Sequence, residues 1–260
     1  MNILQQIVND IQKDLVLKKQ IVPIESLESS PLFERQTNSL RQRVVETEGI
    51  IAEHKRRSPS KPNINFGIRL ADVAQGYESA GVAGMSVLTN NQYFGGSIED
   101  LLLARQACEL PLLRKEFMVD EYQVLEAKAN GADAILLIAA CLERPDIQIL
   151  STLAQQLGME VLLEVHNADE LKKSIMPSID MIGVNNRDLT SFRVSLKTSK
   201  SLVDQIPTEF VKLSESGLSS PESVLELRDC GYQGFLMGEY FMKTDDPGVS
   251  AQHFIKSLSK

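Results

Sequence analysis

The sequence is poor in cysteine: Cys108, Cys141 and Cys230 are all it has. They are odd in number, widely spaced and form no C-x-x-C pair, which argues against a disulfide framework and a thiolate zinc cage. Their neighbours are apolar or helical, so reduced thiols in or near the core are expected. Histidine is equally scarce, with His54, His166 and His253 only. No two of these share ligand spacing on one element, which argues against a histidine metal site. A basic excess is missing too: 27 Lys and Arg face 35 Asp and Glu, for a net charge of -8 at pH 7. A long nucleic-acid footprint needs a basic face to neutralise phosphates, so no nucleic-acid partner is expected. A small anionic substrate is compatible with this balance, because local charge decides a pocket. No run of about 18 apolar residues occurs, so no membrane span is expected. Met1 to Gln20 is polar and mixed in charge and lacks the apolar core of a signal peptide, so a cytoplasmic chain is expected.

What is present is an ordinary globular composition, 43% hydrophobic and 24% charged over 260 residues. That length suits one α/β barrel. Ile3, Ile7, Ile11 and Leu15 recur at a spacing of four with Val8 alongside, which predicts a first helix. A second helical piece is expected from Pro31 to about Val45, on Leu32, Leu40 and Val44. Both precede any strand signal, so residues 1–47 read as a helical extension ahead of a repeating unit over 48–260.

From there the pattern changes. Short apolar runs follow one another: Gly49–Glu53, Met85–Thr89, Leu112–Lys115, Ala134–Ile138, Val161–Glu164, Met181–Asn185, Phe210–Ser214 and Gly234–Gly238. Each is too short for a helix and apolar enough for a strand buried on both faces. Helical stretches separate them: Leu70–Ala80, Ile98–Cys108, Glu121–Ala129, Ile147–Leu157, Ala168–Ser174, Leu196–Val203, Pro221–Cys230 and Ala251–Leu258. Gly81, Gly131, Gly158 and Gly231 look like C-caps. Ser220-Pro221-Glu222-Ser223 looks like a helix start. Eight strand–helix units predict a (β/α)8 TIM barrel. The alternative, an open doubly wound sheet, usually carries a Gly-rich turn after its first strand, and none is present.

Polar groups stand at or just past most strand ends: Glu53 and Lys55, Thr89 and Asn90, Lys115 and Glu116, Glu164, Asn185 and Arg187, Ser214 through Gly217, and Gly238 with Glu239. A strand-end salt bridge explains any one of them. In a barrel, however, all these ends converge on the face where active sites are built. Lys55, Lys115 and Arg187 would bring cations into one cavity, and Glu53 and Glu164 carboxylates. Such groups shift one another's proton affinity and can serve as acid–base pairs. A Schiff-base role for Lys115 also stays open. No Ser-His-Asp or Cys-His arrangement is visible. Small residues after strands seven and eight, Ser216, Gly217 and Gly238 beside Glu239, let backbone N–H groups approach an anion, and barrels often bind phosphate there. Ser58 can join as a hydroxyl donor. Phe94 and Phe117 fit either core packing or an aromatic substrate wall.

These residues also carry a family likeness. Glu53-His54-Lys55-Arg56-Arg57-Ser58-Pro59-Ser60 resembles the strand-one signature of indole-3-glycerol-phosphate synthases. The likeness continues through Ser86–Thr89, Tyr93–Ser97, Leu113–Phe117, Leu163–Val165, Gly183–Leu189, Ser214–Gly217 and Met237–Glu239, over nearly the whole chain and in order. The resemblance implies ring closure of 1-(2-carboxyphenylamino)-1-deoxyribulose 5-phosphate to indole-3-glycerol phosphate, with loss of CO₂ and water, in tryptophan biosynthesis. It implies no metal and no organic cofactor; a monomer or weak homodimer is expected. It implies Lys115 as general acid at the carbonyl oxygen, Lys55 as a second cation and acid, and Glu164 and Glu53 as base and electrostatic groups. Asn185 and Arg187 would orient sugar and carboxylate, and Phe94 and Phe117 would pack on the anthranilate ring. Ser58, Ser216, Gly217, Gly238 and Glu239 would hold the phosphate. The chain departs from the family pattern at Glu116, where Asp is usual, at Asn90, where an acid is common, and at Tyr240, where a smaller or polar residue is usual. A phosphoribosylanthranilate isomerase-type barrel, which usually relies on a Cys/Asp or Asp/Asp pair, does not match the Glu-x-Lys of strand one. A non-catalytic sensor barrel would be expected to lose one of Lys55, Lys115 and Glu164.

Overall fold

The computed structural model describes residues 3–188 and 191–258. Three helices come first: α1 (Ile3–Ile21), α2 (Ile24–Glu28) and α3 (Leu40–Glu46). The strands are β1 (Ile50–His54), β2 (Gly84–Leu88), β3 (Leu112–Lys115), β4 (Ala134–Ile138), β5 (Glu160–Val165), β6 (Met181–Asn185), β7 (Val211–Glu215) and β8 (Gly234–Met237). Between and after them run α4 (Leu70–Ala80), α5 (Asn91–Phe94), α6 (Ile98–Ala107), α7 (Glu121–Ala129), α8 (Arg144–Gln156), α9 (Ala168–Ser174), α10 (Lys197–Leu202), α11 (Pro221–Asp229), α12 (Glu239–Met242) and α13 (Pro247–Leu258). Every strand pairs in parallel with the next and β8 closes onto β1, giving the expected eight-stranded barrel. Short parallel strands covered on both faces must be apolar on both, which is why the eight sequence runs read as they do.

The side-chain period of two divides each strand between two cores. Ile50 and Ala52 face outward against α4, whereas Ile51, Leu113, Leu136, Leu162, Leu213 and Leu236 fill the barrel interior. Leu40 and Val44 of α3 join that interior cluster and plug its lower end. The plug needs small residues on the strands: a Cβ on Gly234 would lie 3.0 Å from Val44 Cγ1, and one on Gly84 would overlap Leu40.

The helix expected from Pro31 to Val45 is a correction. Residues 31–34 form turns, 35–39 are irregular, and helix begins only at Leu40. Tertiary contacts override the local pattern. Arg35 and the Asn38 backbone N–H both donate to Asp133, at 2.6 and 2.7 Å, and the Ser39 hydroxyl caps α3 by accepting from Gln42. The short helices α2, α5 and α12 carry too little periodicity to be read from sequence. Gly81, Gly131, Gly158 and Gly231 all have positive φ just past helices, as C-caps require. Cys108 is buried, Cys141 and Cys230 are half-buried, and all three are free thiols. No helix among the described residues is long and apolar enough to cross a membrane.

Candidate active site

The same period of two that fills the barrel with leucine brings charge to its mouth. Counting upward along inward positions, Ile51 leads to Glu53, Leu113 to Lys115, Leu162 to Glu164, Gly183 to Asn185, and Leu213 to Glu215. These side chains meet in one layer above the apolar core. The next inward steps, Lys55, Phe117, Arg187 and Gly217, reach the rim. All of them border one cavity of about 540 Å³ at the C-terminal ends of the strands, as do Ser58, Phe94, Ser216, Gly238 and Glu239. The size suits a drug-sized organic ligand.

Lys115 is the hub. Its Nζ donates to Glu215 Oε2 at 2.6 Å and stands 3.4 Å from Glu164 Oε2. Burial disfavours its charge, but Glu215, Glu164 and Glu53 together hold its proton affinity above the usual lysine range. Lys55 Nζ donates to Glu53 Oε1 at 2.6 Å. Against the cost of burial, Lys55 and Lys115 keep Glu53 below the ordinary carboxylate range. Glu164 is likewise held low despite its burial, by Lys115, by His166 and by an Asn185 Nδ2 hydrogen bond of 3.1 Å. Three carboxylates around these lysines leave one weakly neutralised. That one is Glu215, pushed up to about 7 by burial and by its acidic neighbours Glu164 and Glu53, against the pull of Lys115. Its Oε1 is buried with no hydrogen-bond partner.

Glycines make room for the carboxylates. A Cβ on Gly238 would lie 2.7 Å from Glu53 Oε1, and one on Gly183 would overlap Glu215 Oε1. After β7, Ser216 and Gly217 both have positive φ (66° and 77°), turning the chain sharply at the rim, and a Cβ on Gly217 would overlap Val194. Ser216 accepts the strain of a left-handed conformation without being glycine. Gly238 precedes the one-turn helix α12. Glu239 is ion-paired with Lys61 from the loop after β1, and Lys243 lies over the Tyr240 ring at 5.2 Å. Ser58 forms a small antiparallel bridge with Lys61 in that same loop.

Phe94 and Phe117 stack obliquely at 6.1 Å between centroids, and both border the cavity. Ile3, Leu4 and Ile7 of α1 add an apolar edge. Asn185 Oδ1 accepts from the Arg187 backbone N–H at 3.0 Å, and Arg187 Nη1 donates to the Phe192 carbonyl at 3.3 Å. Leu189, the last residue of the motif begun at Gly183, lies outside the described residues.

Two departures from the family pattern meet each other. Asn90 Nδ2 donates to Glu116 Oε1 at 3.3 Å, and Thr89 donates to Glu116 Oε2 at 2.9 Å. Burial raises the proton affinity of Glu116, and these donors with Arg114 limit the rise. Tyr240 packs edge-on against Phe241 and Phe254 with its ring partly in the core. Ser214, one of the strand-end polar groups, does not face the mouth. It bonds Asn186 at 2.9 Å and Ser199 at 2.8 Å between sheet and helix. Glu215 is the residue that sequence reasoning left among the phosphate-loop positions. β7 runs one residue later than the expected Phe210–Ser214, and the period of two from the inward Leu213 carries Glu215 into the lumen.

The sequence profile of the indole-3-glycerol phosphate synthase family matches residues 4–256. The chain belongs to the indole-3-glycerol phosphate synthase family. Among relatives, it is 43% identical over 258 residues to an indole-3-glycerol phosphate synthase of Bacteroides thetaiotaomicron, covering 99% of each chain. It is 41% identical to that of Verminephrobacter eiseniae, covering 96% of this chain and 97% of the relative. Solved structures share the fold at low identity. A 3-hexulose-6-phosphate synthase from Salmonella typhimurium aligns with TM-score 0.65 at 11% identity, covering 81% of this chain and 98% of that one. A thiamine phosphate pyrophosphorylase from Pyrococcus furiosus aligns with TM-score 0.59 at 15% identity, covering 85% and 100%. The indole-3-glycerol phosphate synthase family comprises enzymes of decarboxylative ring closure, so this is an enzyme family of the carboxy-lyase class.

Proposed function

We propose that the cavity closes the indole ring of 1-(2-carboxyphenylamino)-1-deoxyribulose 5-phosphate, releasing CO₂ and water to give indole-3-glycerol phosphate. The observation that carries this reading is Lys115, set between Glu164 and Glu215 below an aromatic wall of Phe94 and Phe117. The carboxylated ring carbon attacks the ribulose carbonyl carbon and a C–C bond forms. Lys115 gives its proton to the carbonyl oxygen, where negative charge grows, so the interaction strengthens toward the transition state. The bond to the carboxyl group then breaks, CO₂ leaves, and its electron pair restores the ring. In the dehydration, the new hydroxyl leaves as water on a proton from Lys55, and a carboxylate of the pair Glu164 and Glu53 takes the proton from the adjacent CH₂. Glu215, with its proton affinity near neutrality, is suited to return a proton to Lys115. Asn185 and Arg187 orient hydroxyls and carboxylate.

At the other end of the cavity, Ser58, Ser216, Gly217, Gly238 and the backbone of Glu239 take the phosphate, with Lys61 and Lys243 nearby as cations. Fixing both ends of one molecule brings ring and carbonyl together, which is an orientation gain. The chain would work in the cytoplasm on this phosphorylated small molecule, with no membrane or nucleic-acid partner. The test is formation of indole-3-glycerol phosphate, followed by its fluorescence. Folded wild-type protein that gives no product would overturn the reading.

A further inference from the structure

Behind the cavity, outside its lining, lies a histidine that the reaction above does not use. His166 follows β5 two residues after Glu164, and its side chain is only 11% exposed. Its Nδ1 stands 3.1 Å from Glu170 Oε2, and its backbone N–H donates to the same oxygen at 2.8 Å. Glu170 is itself fixed, because Asn167 Nδ2 donates to its other oxygen at 2.8 Å and Asn167 caps α9. The imidazole orientation is therefore set from outside. Its far edge, Nε2, stands 3.4 Å from Glu164 Oε1, buried and without a hydrogen-bond partner.

The chemistry of that placement is restrictive. A ring nitrogen against a carboxylate must carry a proton to attract it, and here both ring nitrogens face carboxylates. Neutral imidazole has one N–H, so one edge would turn a lone pair toward an oxygen anion. Imidazolium alone is attracted at both edges, by a hydrogen-bond contact to Glu170 and by charge to Glu164. The other groups around the ring agree in sign. Glu215 lies beyond Glu164 and adds negative potential, while the half-buried Cys141 thiol after β4, pushed up to about 12 by burial and by Glu164 and Glu170, stays uncharged. Lys115 stands on the far side of Glu164, and Lys173 of α9 is turned to the Leu142 carbonyl.

We propose that His166 is a positioning residue for Glu164: clamped by Glu170, it holds the Glu164 carboxylate toward Lys115 and supplies a second balancing positive charge. Glu164 then has Asn185 and His166 at one oxygen and Lys115 at the other, which together set its orientation. Burial works against a charge on His166, but Glu170 and Glu164 outweigh it and raise its proton affinity above the ordinary histidine range. This rests on the proposed role of Glu164 in ring closure.

The experiment is NMR titration of the imidazole resonances, with the His166 signal assigned by its loss in His166→Gln. Wild type should titrate His166 above pH 6.5, and Glu164→Gln should lower that midpoint by about one pH unit. Glu170→Gln should lower it too, as an independent variant should Glu164→Gln unfold. In turnover, His166→Gln should lose about tenfold in kcat with KM changed less than threefold. An unmoved His166 midpoint in both Gln variants, or wild-type kcat in His166→Gln, overturns the proposal. Wild-type protein that makes no indole-3-glycerol phosphate overturns the synthase reading, while the titration still decides the contact between His166 and Glu164.

Discussion

Lys115 and Glu215 lie 2.6 Å apart although they belong to β3 and β7, strands on opposite sides of the barrel that never pair. Only a closed barrel brings them together. In an open sheet of the same strands they would be separated by three intervening strands, about 19 Å at the usual spacing. The pair spans the mouth and makes the lysine the centre of a carboxylate ring.

The first prediction follows from that central position. Lys115→Ala removes the proton donor and leaves three buried carboxylates without it. Turnover should fall by about 100-fold or more, with wild-type activity retained in EDTA. The fluorescence assay for indole-3-glycerol phosphate measures both.

Glu215 makes stability depend on pH. Its proton affinity is raised to about 7 by burial, so the folded chain binds that proton more tightly than the unfolded chain does. A raised pKa contributes stability fully below the ordinary carboxylate value and loses it as pH rises through about 7. Glu215→Gln cannot ionise, so its Tm relative to wild type should be higher at pH 8 than at pH 5, by roughly 3 °C or more. Thermal unfolding at the two pH values checks the sign.

The aromatic wall should act on binding more than on chemistry. Phe94→Ala removes one face of the Phe94–Phe117 pair that borders the cavity, and neither ring carries a transferable proton. KM should rise about tenfold with kcat reduced less than threefold, the value of burying one aromatic ring side. Steady-state kinetics on the variant separates the two effects.

At the opposite end of the barrel, Asp133 ties the leading helices to the sheet. It is fully buried and accepts from Arg35, Arg105 and the backbone N–H groups of Asn38 and Leu112. Asp133→Ala strands the buried Arg105 and should cost about 3 kcal/mol. Urea unfolding measures the loss, and kcat of the folded fraction should stay close to wild type.

Much of this was legible beforehand for a physical reason. Parallel strands buried on both faces must be short apolar runs, and a helix returning between them must be amphipathic, so the order of β1 to β8 could be read locally. The site residues were legible because a charge at the end of such a run has no apolar explanation. The stretch from Pro31 to Ser39 was misread because Asp133 and Glu160, distant in sequence, decide its conformation. Glu215 was left with the following loop because the run expected at Phe210–Ser214 ends one residue short of it, and the last residue of β7 is decided by its pairing with β6 and β8.

The sequence by itself determined the repeating strand–helix order, the family, and the set of lysines and glutamates placed at strand ends, since these depend on residue type and period alone. Only the tertiary structure decided which carboxylates share Lys115, that burial and its acidic neighbours push the proton affinity of Glu215 up, and that His166 stands behind Glu164. Those relations depend on barrel closure and on distances across the lumen, and electrostatic interactions between buried charges change steeply with distance and desolvation.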